Sequence, residues 1–336
     1  MTSKTDFTVG LLALLTPFSW ARDFYISPNG NDQWSGQLAQ PNAARSDGPW
    51  ATFEGAHLGL RQVPRPLKEP IRVLFQSGTY AQTQAVTFTA NDSGDATYPI
   101  SYEAAPGAVV YVTGSQTLPP FHLDSQGRWS LQVPVGTPRF EQLWIDHQRA
   151  TRARTAQPGT HFLKAVVDEY LLPELKNVYE QKLQLSPKEL EAFKGLPETE
   201  IKDGVVTFYH KWDSTRRSVY AIDPERGLLT IRGTRLKSNT RFDYLTGFVF
   251  ENIPTLLDEP GEWFLARNGT LTYLPRPGEN ITTARATYPS ADKLLVFQGD
   301  AEHPVHDLQF RGLHFIEAKG VATLSTIEPN QAAAST

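Results

Sequence analysis

Residues 71–114, IRVLFQSGTYAQTQAVTFTANDSGDATYPISYEAAPGAVVYVTG, decide the fold. Four short β-rich runs sit in this stretch: IRVLFQSG from Ile71, AVTFTA from Ala85, PISYEA from Pro99 and VVYVTG from Val109. Each is followed by glycine, asparagine, aspartate or proline, the residues that turn a chain. No helical pattern separates them, so a doubly wound sheet is a poor fit. A coil of parallel strands fits better. Its strands stack in successive turns, and inward residues line up as apolar ladders. A β-sandwich is the alternative.

The same character returns late in the chain. KLLVFQG begins at Lys293, and HDLQFRGLHFIEA, from His306, sets Leu308, Phe310, Leu313 and Phe315 around Gly312. Between these regions the signals are antiparallel. FHLDSQGRWSLQV reads as two strands around a Gln126-Gly127 turn. Asn268-Gly269 parts WFLAR from TLTYL, the sequence form of a two-residue type I′ hairpin. In LSPKELEAF, Ser186, Pro187 and Glu189 compose a capping box with proline at the first helical position, and the short helix stops near Gly195.

The expected architecture is therefore all-β. A coil of parallel strands supplies the N-terminal part, and an antiparallel β-rich insertion domain interrupts it. The expected boundaries are 22–114 for an N-terminal cap and first coils, 115–285 for the insertion and 286–336 for the return to the coil. The strand near Leu308–Phe310 should pair beside a strand of 71–114. Within the cap, Thr52 should cap a helix carrying Phe53, Ala56, Leu60 and Val63 on one face, ended by Pro64. The closing STIEPNQAAAST offers no strand to finish a coil, so a longer natural chain is expected.

Composition narrows the function. The 336 residues carry a net charge of −4, which argues against nonspecific nucleic-acid binding. Cysteine is absent, which removes thiol catalysis, disulfides and thiolate metal sites. Lys4 precedes the apolar run VGLLALLTPFSWA, and Ser19-Trp20-Ala21 has small residues where a signal peptidase cuts. A signal peptide over 1–21 is expected, with a secreted or periplasmic monomer and no membrane attachment after cleavage. No phosphate-gripping or dinucleotide motif follows a strand, so no cofactor is implied.

The candidate site is FYHKWDSTRRSVYAIDPE, residues 208–225. Alternation sets Phe208, His210 and Trp212 on one strand face, with Arg216 and Arg217 close behind. An indole can stack on a sugar ring, and planar guanidinium forks suit hydroxyls or uronate carboxylates. The same pattern also describes a core strand whose arginines pair with nearby acids. Glycoside hydrolysis needs two carboxyl groups about 5–9.5 Å apart. Asp258, Glu259 and Glu262 read as a solvated acidic turn, Asp203 and Asp213 as turn residues flanking a strand, and no spacing forces a pair. His303 with His306, and Asn29, Asn31 and Asp32, are weak metal patterns that lack a full ligand set.

DFYISPNGNDQWSG, GPWATFEGAHLGLR, VLFQSGTY and SYEAAPGAVVYVTG resemble the opening of secreted right-handed parallel β-helix proteins. FYHKWDSTRRSVYAID, ENIPTLLDEPGEWFLARNGTLTYLPRPGE and HDLQFRGLHF resemble the next part in the same order. The resemblance, over residues 23–318, is to β-helix glycoside hydrolases with an inserted β-domain that act on plant polysaccharides. It implies a polysaccharide or oligosaccharide ligand, with catalytic acids on later coils that have no counterpart here. A non-catalytic carbohydrate-binding or structural β-helix module is the competing expectation.

Overall fold

The computed structural model describes residues 21–155, 161–210, 214–235 and 241–320. The expected signal peptide, apart from Ala21, lies outside the described residues, as does Trp212. The protein is all-β with several sheets, and its chain divides into two compact units. The first comprises 21–113 and 294–316, the second 114–293 and 317–320. Among the described residues no helix is long and apolar enough to cross a membrane.

The first unit begins with β1 (Arg22–Ile26), α1 (Phe53–Leu60), β2 (Ile71–Phe75), β3 (Gly78–Ala81), β4 (Val86–Thr89), β5 (Ile100–Ala104) and β6 (Val110–Thr113). The second contributes β7 (Ser115–Thr117), β8 (His122–Leu123), β9 (Trp129–Gln132), β10 (Leu143–Ile145), β11 (Gln148–Arg152), β12 (Ala165–Leu171) and β13 (Tyr179–Gln184). Its remaining strands are β14 (Val205–Tyr209), β15 (Ser214–Asp223), β16 (Leu228–Gly233), β17 (Gly247–Glu251), β18 (Glu262–Leu265), β19 (Thr270–Tyr273) and β20 (Ala286–Pro289). The chain re-enters the first unit with β21 (Leu295–Gln298), β22 (Leu308–Arg311) and β23 (Leu313–Ile316).

Among the described residues, all strand pairs in the first unit are parallel. They compose three sheets, ordered β1-β2-β5-β22, β21-β4 and β23-β6-β3. The pairing expected for Leu308–Phe310 is present, with Leu308 opposite Ile100 and Phe310 opposite Tyr102. In-register pairing stacks like on like. Tyr102 and Phe310 rings stack with centroids 5.4 Å apart and planes nearly parallel, and Phe88 stacks on Phe297 at 5.4 Å. These ladders continue into a core of Phe24, Ile26, Phe53, Val73, Phe75 and Val112.

Helix α1 closes over that core as its sequence predicts. Thr52 caps it by accepting the Gly55 N–H at 2.9 Å. It ends at Leu60, ahead of Pro64. Asp32, considered above as a metal ligand, instead brackets the helix entry. Its Oδ1 accepts the N–H groups of Ala51 and Thr52 at 2.8 and 2.9 Å, and its Oδ2 accepts the Thr52 hydroxyl at 2.7 Å. Asp32→Ala leaves these donors without their carboxylate, and an unfolding free energy lower by about 1–3 kcal/mol is expected in urea denaturation. An unchanged midpoint would show that the helix entry is fixed elsewhere.

The second unit folds mainly antiparallel in two sheets, β7-β20-β10-β11-β18-β19-β9-β8 and β12-β13-β16-β15-β14-β17. Ala286–Pro289, placed beyond the insertion by a boundary at 285, pairs inside the first of these sheets, against β7 and β10. The hairpin at Asn268-Gly269 is present, but its loop has three residues. Leu265 faces Leu271, Ala266 and Thr270 close the ladder, and Gly269 takes a φ of 87° while Asn268 is not among the positive-φ residues. That is a turn followed by a left-handed glycine, rather than a type I′ turn with both central residues at positive φ. The cause is tertiary. Asp203 holds the Arg267 backbone N–H and guanidinium, each at 2.9 Å, and keeps Arg267 in the loop.

The capping box at Ser186 forms, with the Glu189 carboxylate accepting the Ser186 N–H at 2.8 Å. The turn it starts, Pro187–Phe193, is a 3₁₀ helix. It packs Leu190 and Phe193 into a core shared with Phe208, Phe248 and Phe250.

Candidate functional site

Strand geometry sorts the opening stretch into two faces. In β15, Arg216 and Arg217 are neighbours and so point to opposite sides of the sheet. Arg217 stands opposite Val206, and Val206 opposite Phe250, which places it on the core side. It is 2% exposed, and its guanidinium donates to the carbonyls of Arg216 at 3.0 Å and Thr234 at 3.2 Å. Phe208 is fully buried in the same core, so it gives no ring to a wet surface. His210 is half-buried, 3.0 Å from the Thr215 hydroxyl, with its ring 5.6 Å from that of Phe242.

Arg216 takes the other face, with Thr207 opposite it on β14. Val249 is the next partner across, and Glu251 lies two residues further along β17 on that face. Arg216 therefore meets Glu251, donating Nε at 3.2 Å and Nη2 at 3.1 Å to one carboxylate oxygen, and its Nη1 pairs with Glu141. Thr207 adds a hydroxyl to Glu251 at 3.3 Å. Two carboxylates 110 positions apart in the chain thus share one guanidinium that is 12% exposed.

These groups line a cleft of about 1090 Å³ within the second unit. Its walls come from the 135–142 loop, β11, the faces of β14, β15 and β17 just described, and residues around β20. Among the described residues, six cationic side chains line it, Arg139, Arg149, Arg152, Arg154, Arg216 and Lys319, against two carboxylates, Glu141 and Glu251. Phe140 and Tyr288, stacked at 4.9 Å, contribute apolar lining. Of the four residues that the sequence singled out, Arg216 lines this cleft, whereas His210 and Arg217 do not.

Arg152 is the unusual member. It is 5% exposed, and all three guanidinium nitrogens are shut from water with no hydrogen-bond partner among the described residues. Glu141 stands 3.8 Å from its Nη1, and the Trp263 ring lies 5.6 Å away. Burial pushes its guanidinium down to about 10, against the attraction of Glu251, which leaves it charged at neutral pH.

The acidic residues weighed earlier lie elsewhere. Glu262 is not part of a solvated turn. It is 5% exposed, accepts the Asp258 and Glu259 N–H groups, and burial raises it above the usual carboxylate range. Asp203 is likewise interior, held by Arg267. Asp213 lies outside the described residues. His303 and His306 are exposed, each beside a different carboxylate, Asp300 at 3.3 Å and Asp307 at 2.8 Å.

No family model matches the sequence, and no curated protein matches it. A solved structure described as a glycoside hydrolase aligns with a TM-score of 0.70 at 20% identity, over 89% of this chain and 51% of its own. The chain thus has a fold similar to that of a glycoside hydrolase and spans about half the length of that structure. A second solved structure, the complex of XylC with xylose, aligns over 88% of this chain and 35% of its own. Its TM-score is 0.32 at 11% identity, too low to bear on fold or function.

Proposed function

We propose that this chain is the N-terminal part of a secreted, polysaccharide-acting glycoside hydrolase and that, by itself, it binds glycan without cleaving it. On this proposal the first unit is the start of a right-handed parallel β-helix, and the second is an insertion that holds one stretch of the glycan. The cleft around Arg216 carries the proposal. It is concave, part apolar, and rich in planar hydrogen-bond donors, which is the chemistry that saccharide sites use. The fold likeness to a glycoside hydrolase supports the ligand class, and its coverage of half the solved chain supports a partial assembly.

The expectation of no hydrolysis rests on the carboxylates. Acid–base catalysis needs groups placed against the reacting bond, one giving and one taking a proton. Glu141 and Glu251 are both engaged by Arg216. The test is a panel of xylose-, fucose- and uronate-containing oligosaccharides, followed by calorimetric titration and by release of reducing ends. Binding without product release is the expected result. Turnover by the purified chain would overturn the non-catalytic assignment, and failure to bind any member would overturn the glycan assignment.

A further inference from the structure

We propose that the cleft of the second unit is selective for an acidic saccharide, whose anionic group lies among Arg149, Arg154 and Lys319 in the field of the buried Arg152. This proposal rests on the glycan reading and names the charge class of that ligand.

The first ground is the charge balance. Among the described residues, six cations against two carboxylates line one cleft, in a protein whose net charge is −4. Both carboxylates are already held by Arg216. Arg149 and Arg154 form no ion pair among the described residues. Among the described residues Lys319 has only Asp292, at 3.6 Å, and both side chains are more than half exposed, so that pair holds it weakly. Arg139 faces Asp203 at 3.7 Å and is the cleft cation most nearly neutralised from outside.

The second ground is independent of that count. A buried guanidinium is costly unless it is paired and hydrogen-bonded. Among the described residues, Arg152 has one loose ion pair at 3.8 Å and no hydrogen bond from any of its three nitrogens. Water does not damp its charge, so its field reaches into the cleft with more than the strength of a surface arginine's. An anion in the cleft offsets that uncompensated charge, which a neutral sugar cannot do. A carboxylate or a sulfate ester satisfies the same requirement, and Arg149 and Arg154 supply forks for either.

The experiment titrates the full chain with three oligosaccharides of equal length, a galacturonate, a sulfated galactan and a neutral xylan fragment, and with inorganic sulfate alone, at low and at high salt. Either acidic probe, or both, should bind about tenfold to a hundredfold more tightly than the neutral one. That preference should shrink as salt rises. Which acidic probe wins tells carboxylate from sulfate. Arg149→Gln with Arg154→Gln, on surface-accessible groups, should reduce acidic binding to the neutral level without loss of fold. Equal affinity for acidic and neutral probes would overturn the charge selectivity and leave the glycan reading standing. A preference that persists in the double variant would overturn the placement of the anion. Binding of inorganic sulfate with no saccharide bound would retain an anion site and sink the glycan reading, and no binding of any probe would sink both.

Discussion

Phe88→Ala is expected to lower the unfolding free energy by roughly 3–5 kcal/mol, in the range for a fully buried phenylalanine. Phe88 is 0% exposed and sits where the ladders of the first unit meet. Its ring stacks on Phe297 and meets the edges of Phe53, Tyr102 and Phe310, with the His57 ring 4.8 Å away. Removing it leaves a cavity walled by aromatic rings borne on different strands and on α1. Those walls are fixed by ladder hydrogen bonds and collapse little, so the cavity cost adds to the lost transfer energy. Phe88→Leu keeps most of the volume and should cost less than half as much. Chemical denaturation of both variants gives the comparison. A loss below about 1 kcal/mol for the alanine variant would show that the neighbouring rings close over the gap.

Arg61→Met is expected to destabilise by roughly 2–3 kcal/mol at neutral pH, less than a fully buried pair would cost because the Arg61 side chain is 37% exposed and partly screened by water. The cost lies in what is left behind. Asp92 is 4% exposed, and Arg61 grips it with two hydrogen bonds, at 2.7 and 2.8 Å. Burial alone raises the Asp92 carboxyl. The Arg61 pair and the Thr89 N–H and hydroxyl, with the His57 ring 3.1 Å away, outweigh it and hold the group well below its usual range. Without Arg61 a buried carboxylate loses its main counter-charge. The sign of the pH dependence follows. A depressed folded value contributes stability that is complete above the unfolded value, about 3.9, and is lost as pH falls toward the folded one. The gap between wild type and Arg61→Met should be widest at neutral pH and narrow below about pH 4. A gap that stays constant across that range would assign Arg61 a packing role instead.

Much of the first unit is legible from local signals. Ile71–Phe75, Val86–Thr89, Ile100–Ala104 and Val110–Thr113 are strands because β-branched and aromatic residues recur between chain-turning residues. The Thr52 cap and the Ser186 box are equally local, since in each a side chain and a backbone donor three residues apart meet. The cleft was not legible in this way. RFEQLWIDHQRATRART concentrates Arg139, Arg149, Arg152 and Arg154 within 16 positions. That density was the available signal. The partner that organises it, Arg216, lies in β15, and no rule of spacing joins it to Glu141, 75 positions earlier.

Sequence alone determined the elements whose causes lie within a few residues: the β-rich runs, the caps, the hairpin at Asn268-Gly269 and the absence of thiol chemistry. It also determined the pairing of Leu308–Phe310 with the 71–114 strands, because alternation and ladder packing are carried by side-chain type. The tertiary structure decided the rest. It turned Phe208 and Arg217 inward and Arg216 outward, because a β-strand's face is set by which neighbour sheet claims its core. It changed the 265–270 loop, because Asp203 from another part of the chain holds Arg267. It made Asp32 a bracket and Glu262 a buried acid, because burial and backbone donors come from packing and not from composition. Above all it set a buried, incompletely paired Arg152 beside a cleft. Charge is written in the sequence, but its desolvation exists only once the chain has closed around it.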